Sequence, residues 1–192
     1  IPFLSRAQLL GQIMKNYETP IAVSGTHGKT TTTSMLAEIL LHADTDPTLS
    51  IGGILKSIGG NIRMGDSGYF LTEACEYTNS FLSFFPKIGL ILNVEEDHLD
   101  FFKDLADIRS SFRRFAQLLP PDGTLVISGD IHRYQELTEG LSCTVVTYGH
   151  SRDCNYYADG ITHDSRGNAS FMLHSPRIRP QRVTLQVPGD HN

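Results

Sequence analysis

Nowhere does this sequence run apolar for the roughly 20 residues that a membrane-spanning helix requires. Basic charge is also in short supply. Lys and Arg number 16 against 21 Asp and Glu, for a net charge of -5. That balance lacks the electrostatic footprint of a protein that binds nucleic acid or an anionic membrane. Cysteine is sparse. Cys75, Cys143 and Cys154 are widely spaced and form no C-x-x-C pair. Such a set predicts neither a disulfide framework nor a structural zinc, and it fits a reducing cytoplasm. There is no internal repeat and no low-complexity run. The opening "IPFLSRAQLLGQIMKNY" lacks the basic start and continuous apolar stretch of a secretory signal, and reads as an amphipathic helix. His42, His132, His150, His163 and His174 stand alone and read as surface or satisfied core residues.

What is present fits one soluble globular domain with a small appendage: 192 residues, 40% hydrophobic and 19% charged. The chain starts without methionine and stops at "VPGDHN", just after a strand-like segment, and so reads as a domain of a longer protein. "TPIAVSG" (19–25), "DPTLSIGG" (46–53), "YFLTEA" (69–74), "KIGLILNV" (87–94), "TLVISGD" (124–130) and "CTVVTYG" (143–149) are predicted strands. Between them, Met35, Leu36, Ile39 and Leu40 recur at helical spacing. Leu105, Ile108, Phe112, Phe115 and Leu119 form a second helical stripe, closed by two prolines and Asp-Gly. A short helix is expected near "IHRYQELTE", and "LKSIGGNIRMGDSG" reads as a surface loop or loose hairpin. Continuous apolar strands alternating with helices predict an α/β fold of the P-loop type, a mostly parallel sheet flanked by helices over about 18–149. From about 150 to 188 the apolar residues alternate in twos. These segments predict a small antiparallel β subdomain, a sheet beside the main one.

Three segments could carry chemistry. The first is "AVSGTHGKTTTTSML", residues 22–36. It lacks the first glycine of G-x-x-x-x-G-K-[ST], because Val23 stands in that place. The strand–glycine turn–helix context is nonetheless that of an anion site. The first N–H groups of a helix have no intrahelical partners, and the helix dipole adds partial positive charge. Gly25 and Gly28 let the backbone approach phosphates, Lys29 can reach outer phosphate oxygens, and the Thr30 hydroxyl can ligate magnesium. The second is "LTEACEYTNSFL" (71–82). Glu73 falls at the carboxyl end of a predicted strand, the edge where open parallel sheets bind ligands. Glu73 and Glu76 are either metal-capable or simply solvated loop carboxylates. The third is "LNVEEDHLD" (92–100), which brings Glu95, Glu96, Asp97, His98 and Asp100 to the same edge. It is either a cation or phosphate site or an acidic helix start. Convergence of the three favours magnesium-dependent phosphoryl transfer.

Together "GTHGKTTTT", "EACEY", "NVEEDHLD" and "VPGDHN" resemble the central ATP-binding domain of the Mur ligase family, over nearly the whole chain. That family's loop is G-T-x-G-K-[ST], which places Val23 in the strand. The histidine of "GTHGKT" and the "EACEY" segment are most similar to the members that add L-alanine to UDP-N-acetylmuramate. The resemblance implies an ADP-forming ligase of peptidoglycan-precursor synthesis with ATP and Mg2+ as cofactors, working through an acyl phosphate. It implies nucleotide binding by Gly25, Thr26, His27, Gly28, Lys29, Thr30 and Thr31, with Lys29 on the β- and γ-phosphates. It implies metal binding by Thr30, Glu73 and His98, and contact of His191 and Asn192 with the adenine side. Lys29, Glu73 and His98 are thereby the implied catalytic set. Several relatives place a carbamylated lysine in the helix after the Asp-His pair. Phe112 or Arg113 holds that position here, as in the alanine-adding members, and Phe112 reads as core. The glycine-rich 52–68 region would lie toward the muramyl substrate. UDP-binding and C-terminal domains would flank this one, and the fragment alone is expected to be inactive. A murein peptide ligase, a folylpolyglutamate-type ligase, a non-catalytic nucleotide-binding module and a simple kinase are the alternatives.

Overall fold

In the computed structural model, residues 3–188 are described. The chain opens with helix α1 (Arg6–Met14), whose start is a capping box: Ser5 accepts from the Gln8 backbone and Gln8 accepts from the Ser5 backbone. Strand β1 (Thr19–Ser24) leads into α2 (Lys29–His42), then β2 (Thr48–Leu55). A single 3-10 turn joins β2 to β3 (Gly60–Arg63), so the glycine-rich segment is a hairpin. After β4 (Tyr69–Glu73) comes an irregular 3-10 segment (Tyr77–Ser83), then β5 (Ile88–Ile91) and α3 (Leu105–Ala116). The remaining elements are β6 (Thr124–Ser128), α4 (Gln135–Thr138), β7 (Thr144–Gly149), β8 (Tyr156–His163), β9 (Asn168–His174) and β10 (Gln181–Pro188).

All ten strands join one sheet in the order β10-β9-β8-β7-β6-β5-β1-β4-β2-β3. Pairing is parallel from β2 through β4, β1, β5, β6 and β7 to β8, and antiparallel at both margins. The antiparallel unit of the sequence reading is present, but it does not stand apart as a separate sheet. It continues the parallel one through two residue pairs, Tyr148 with Tyr156 and Gly149 with Tyr157.

The period of two along each central strand divides the core between the two faces. Ala22 of β1, Phe70 of β4 and Ile91 of β5 face a cluster built on Phe81, Phe112 and Phe115. There Phe81 stacks on Phe115 with centroids 4.9 Å apart, and meets Phe112 edge-on at 5.5 Å. Ile21, Val23, Leu71 and Leu90 face the opposite way, onto Ala37 and the flanking Leu36 and Leu40 of α2. Burial on both faces explains why these strands read as continuous apolar runs. The α2 face differs from the one expected. Thr33 and Ala37 are its buried positions, whereas Ile39 is 62% exposed. On α3 the expected stripe holds at Ile108, Phe112 and Phe115, all buried.

The sheet order decides where the chemistry lies. β1 is flanked by β4 on one side and β5 on the other. From β1 the chain crosses to β2, returns to β4 beside β1, and only then proceeds to β5. The carboxyl ends of β1, β4 and β5 therefore open side by side at the point where strand order reverses, the position at which such sheets bind ligands.

Candidate functional site

The loop that leaves β1 needs two unusual backbone conformations. Gly25 has φ of 150°, and a Cβ there would lie 2.9 Å from the Leu92 Cβ. Gly28 caps α2 in the left-handed region with φ of 79° and makes no side-chain cap. The first intrahelical bond runs from Thr32 N–H to the Gly28 carbonyl at 3.0 Å. The amides before it, including those of Lys29, Thr30 and Thr31, belong to the turn that lacks intrahelical acceptors. An unencumbered helix start behind a glycine turn is the geometry the loop reading required.

The third segment holds this loop in shape. β5 ends at Ile91, three residues earlier than expected, and Leu92 N–H still bonds the Ser24 carbonyl at 3.0 Å. Asn93 then clamps His27 from both sides: His27 N–H donates to Asn93 Oδ1 at 2.7 Å, and Asn93 Nδ2 donates to the His27 carbonyl at 3.1 Å. The buried Thr26 hydroxyl accepts from Glu95 N–H at 2.9 Å. His27 itself points outward, with its side chain 62% exposed and its Nε2 3.9 Å from Glu95 Oε2.

Glu73 ends β4, its Cα paired with that of Val23. Its Oε2 accepts from the Thr30 hydroxyl at 3.1 Å, and its Oε1 accepts from Gly52 N–H at 2.6 Å. Gly52 must be glycine for this approach, since a Cβ there would meet the carboxylate at 2.5 Å. Thr30 and Glu73 offer oxygen donors alone, the type magnesium takes. Magnesium commonly keeps one or two protein ligands and completes its shell with phosphate and water. The donor set fits the ion.

Lys29 lies at the centre of the site. Its Nζ donates to the carbonyls of Gly25 at 2.5 Å and Thr26 at 3.0 Å, and to both oxygens of Glu76 at 2.9 and 3.1 Å. Glu76 is no solvated loop carboxylate: it is 2% exposed. His98 brings its Nε2 to 3.7 Å from Glu76 Oε1 and 3.9 Å from Asp97 Oδ2. Its backbone is left-handed, with φ of 52°, a strained state that surrounding contacts must enforce. Tyr77 does so in part, packing its ring 4.6 Å from the imidazole while its hydroxyl donates to Asp100 at 2.7 Å. That bond to a carboxylate raises the Tyr77 phenol above its ordinary range.

The structure thus brings together Gly25, Thr26, Gly28, Lys29, Thr30 and Glu73, with His98 joined to them through Glu76. Among the described residues, no set of three or more His, Cys, Asp or Glu side chains gathers tightly enough to hold a metal alone. The acidic segment is not a helix start, because α3 begins only at Leu105. Glu95 turns toward His27, and its side chain is 64% exposed. Phe112 is fully buried against Phe81, and Arg113 donates to the Glu136 and Glu139 carbonyls at α4, so neither stands in for a lysine at a metal. His191 and Asn192 lie outside the described residues. Sequence reasoning named Glu76 but not its burial or its pairing with Lys29, and it missed Asn93. Their only signal was membership of the two polar segments at strand ends.

A family model described as the Mur ligase middle domain matches residues 23–192. A UDP-N-acetylmuramate–L-alanine ligase of Agathobacter rectalis is 56% identical over 192 residues, covering all of this chain and 42% of the relative. The chain therefore spans well under half the length of that curated relative. Among solved structures, a UDP-N-acetylmuramate–alanine ligase of Thermotoga maritima is 30% identical with a TM-score of 0.78, over 97% of this chain and 41% of the other. A UDP-N-acetylmuramate:L-alanyl-gamma-D-glutamyl-meso-diaminopimelate ligase of Neisseria meningitides is 27% identical with a TM-score of 0.85, over 100% of this chain and 62% of the other. A glycine turn between strand and helix, a carboxylate beside its threonine and a match over nearly the whole length agree: the chain belongs to the Mur ligase middle-domain family.

Proposed function

We propose that this chain is the central nucleotide-binding domain of a longer, ADP-forming ligase that joins L-alanine to UDP-N-acetylmuramate. The observation that carries the reading is 56% identity across the whole chain to a ligase of that name. The site supports the chemistry. The loop amides and Lys29 would hold the ATP phosphates, with Lys29 on the outermost oxygens. The acceptor carboxylate would attack the γ-phosphorus, giving an acyl phosphate and ADP. The alanine amine would then attack the acyl carbon and expel phosphate. Lys29 supplies positive charge where negative charge gathers on the transferring phosphoryl group, and the loop fixes its direction of approach. Thr30 and Glu73 would hold magnesium, which neutralises phosphate oxygens when bound. His98 would act beside them, and His191 and Asn192 on the adenine side. Free cysteines at 75, 143 and 154 accord with a cytoplasmic enzyme. Among the described residues no helix is long and apolar enough to cross a membrane.

A murein peptide ligase is the second reading, favoured by the TM-score of 0.85 to one such structure. Release of ADP by the full-length protein separates them. Turnover is expected with UDP-N-acetylmuramate and free L-alanine, and none with the preformed tripeptide in place of alanine. The reverse pattern would install the second reading. Lys29→Ala should lower turnover by roughly 100-fold or more, as loss of a transition-state charge contact does. The 192-residue chain alone should release no ADP above background, and turnover near the full-length rate would refute that part.

A further inference from the structure

Among the described residues, Glu76 is the one charged side chain that is buried, at 2% exposure. A carboxylate withdrawn from water is costly without a partner of opposite charge and fixed geometry. Both are built here. After β4, Ala74 N–H bonds the Val23 carbonyl at 2.8 Å, which keeps the chain against β1. The chain then turns tightly. Asn79 N–H bonds the Glu76 carbonyl at 2.9 Å, and Thr78 and Asn79 both take left-handed φ, at 54° and 57°. Phe81, fully buried against Phe112 and Phe115, anchors the far end. Two strained residues and one aromatic anchor thus fix the backbone that carries Glu76.

Both Glu76 oxygens accept from Lys29 Nζ, at 2.9 and 3.1 Å, and the oxygen at 3.1 Å also lies 3.7 Å from His98 Nε2. One carboxylate therefore spans the phosphate loop and the third segment. With the Gly25 and Thr26 carbonyls, it supplies an acceptor for every N–H of the lysine ammonium. Lys29 rides on a four-carbon stem of high rotamer freedom, and a site that needs its charge at one point must restrain it. The Thr30–Glu73 oxygen pair does not involve Glu76, which meets the loop through Lys29.

We propose that Glu76 is a positioning residue for phosphoryl transfer, acting through Lys29 and His98: it fixes the lysine charge and the imidazole in one relation across the mouth of the loop. The inference rests on the ligase reading above.

The test uses the full-length ligase, with steady-state kinetics and melting temperature measured together. Glu76→Gln keeps the length and removes the charge. Glu76→Asp keeps the charge and shortens the reach by one methylene. Expected is a fall in kcat of roughly tenfold or more for Gln, with KM for ATP moving less than about threefold, and an intermediate kcat for Asp. A folded Gln variant with kcat within about twofold of wild type overturns the inference, as does a loss confined to KM or to melting temperature. If Gln does not fold, Asp decides by the same kcat criterion. If neither folds, Glu76 is a structural counterion and the inference falls. A wild-type enzyme that releases no ADP with either acceptor pair sinks the ligase reading and this inference with it. Wild-type turnover with indifferent variants sinks this inference alone.

Discussion

Single residues set the shape of the loop, and two glycines do so for different reasons. Gly25 combines φ of 150° with a Cβ position only 2.9 Å from the Leu92 Cβ, so alanine there meets both strain and a neighbour. Gly28 is also left-handed, at 79°, yet a Cβ there would find only Leu92 Cδ1, at 3.7 Å. Gly28→Ala should therefore cost about 1–2 kcal/mol of backbone strain, and Gly25→Ala more, about 2–4 kcal/mol with the clash included. Urea midpoints of the two variants check the order, and equal losses would refute it. Gly25, Gly28, Lys29, Thr30 and Glu73 were legible in the sequence because spacing and strand ends are local properties. Glu76 was not. Its burial depends on a turn anchored by Phe81, and nothing in "EACEY" distinguishes a buried carboxylate from a solvated one. His27 went the other way. The motif makes it conspicuous, and the structure turns its side chain outward while Asn93 binds its backbone.

At the scale of elements, the hairpin of β2 and β3 depends on a charged clasp. Asp46 accepts from Asp66 N–H at 2.8 Å and from the Arg63 guanidinium at 2.5 Å. The Asp66 amide first, then Arg63, holds its carboxyl below the usual range. A carboxyl with a lowered folded pKa contributes stability above its unfolded value, about 3.9, and loses it as pH falls through the folded value. Asp46→Asn should accordingly melt below wild type at pH ~7, and the gap should close as pH falls through the lowered folded value of the carboxyl. A gap unchanged across that range would show that the carboxylate charge contributes nothing. The sequence left this segment between loop and hairpin, because its short strand carries too little alternation to fix a register. It misjudged α2 for a related reason. Four threonines at the start of the helix hide the buried stripe, which runs through Thr33 and Ala37 rather than Ile39. The α3 stripe was plain, since its apolar residues alone define one face.

For the whole molecule, one sheet contains two regimes. The strands β1, β4, β5 and β6 are packed on both faces, whereas of the 23 residues in β8, β9 and β10 only Ala169 is buried. Those three strands join the rest through two residue pairs. Amide exchange measured by mass spectrometry should show β8–β10 opening at lower free energy than β1, β4 and β5. Equal protection in both would refute this division. The parallel part of the fold was legible from its apolar runs, and the antiparallel part from its alternation. Continuity between them was not, because two pairs of backbone bonds leave no compositional mark.

The position of β1 between β4 and β5 carries a consequence for how the site comes into being. Its three contributors are far apart in sequence, at 24–30, 73–76 and 93–98, and only non-local strand pairing makes them neighbours. Closing such long loops is slow and comes before any contact at the site can repay it. The full site needs both the β1–β4 and the β1–β5 pairings. The proposed phosphate site is acquired together with the central sheet and is lost with it. Nucleotide affinity of the proposed site would then report on the integrity of those three strands.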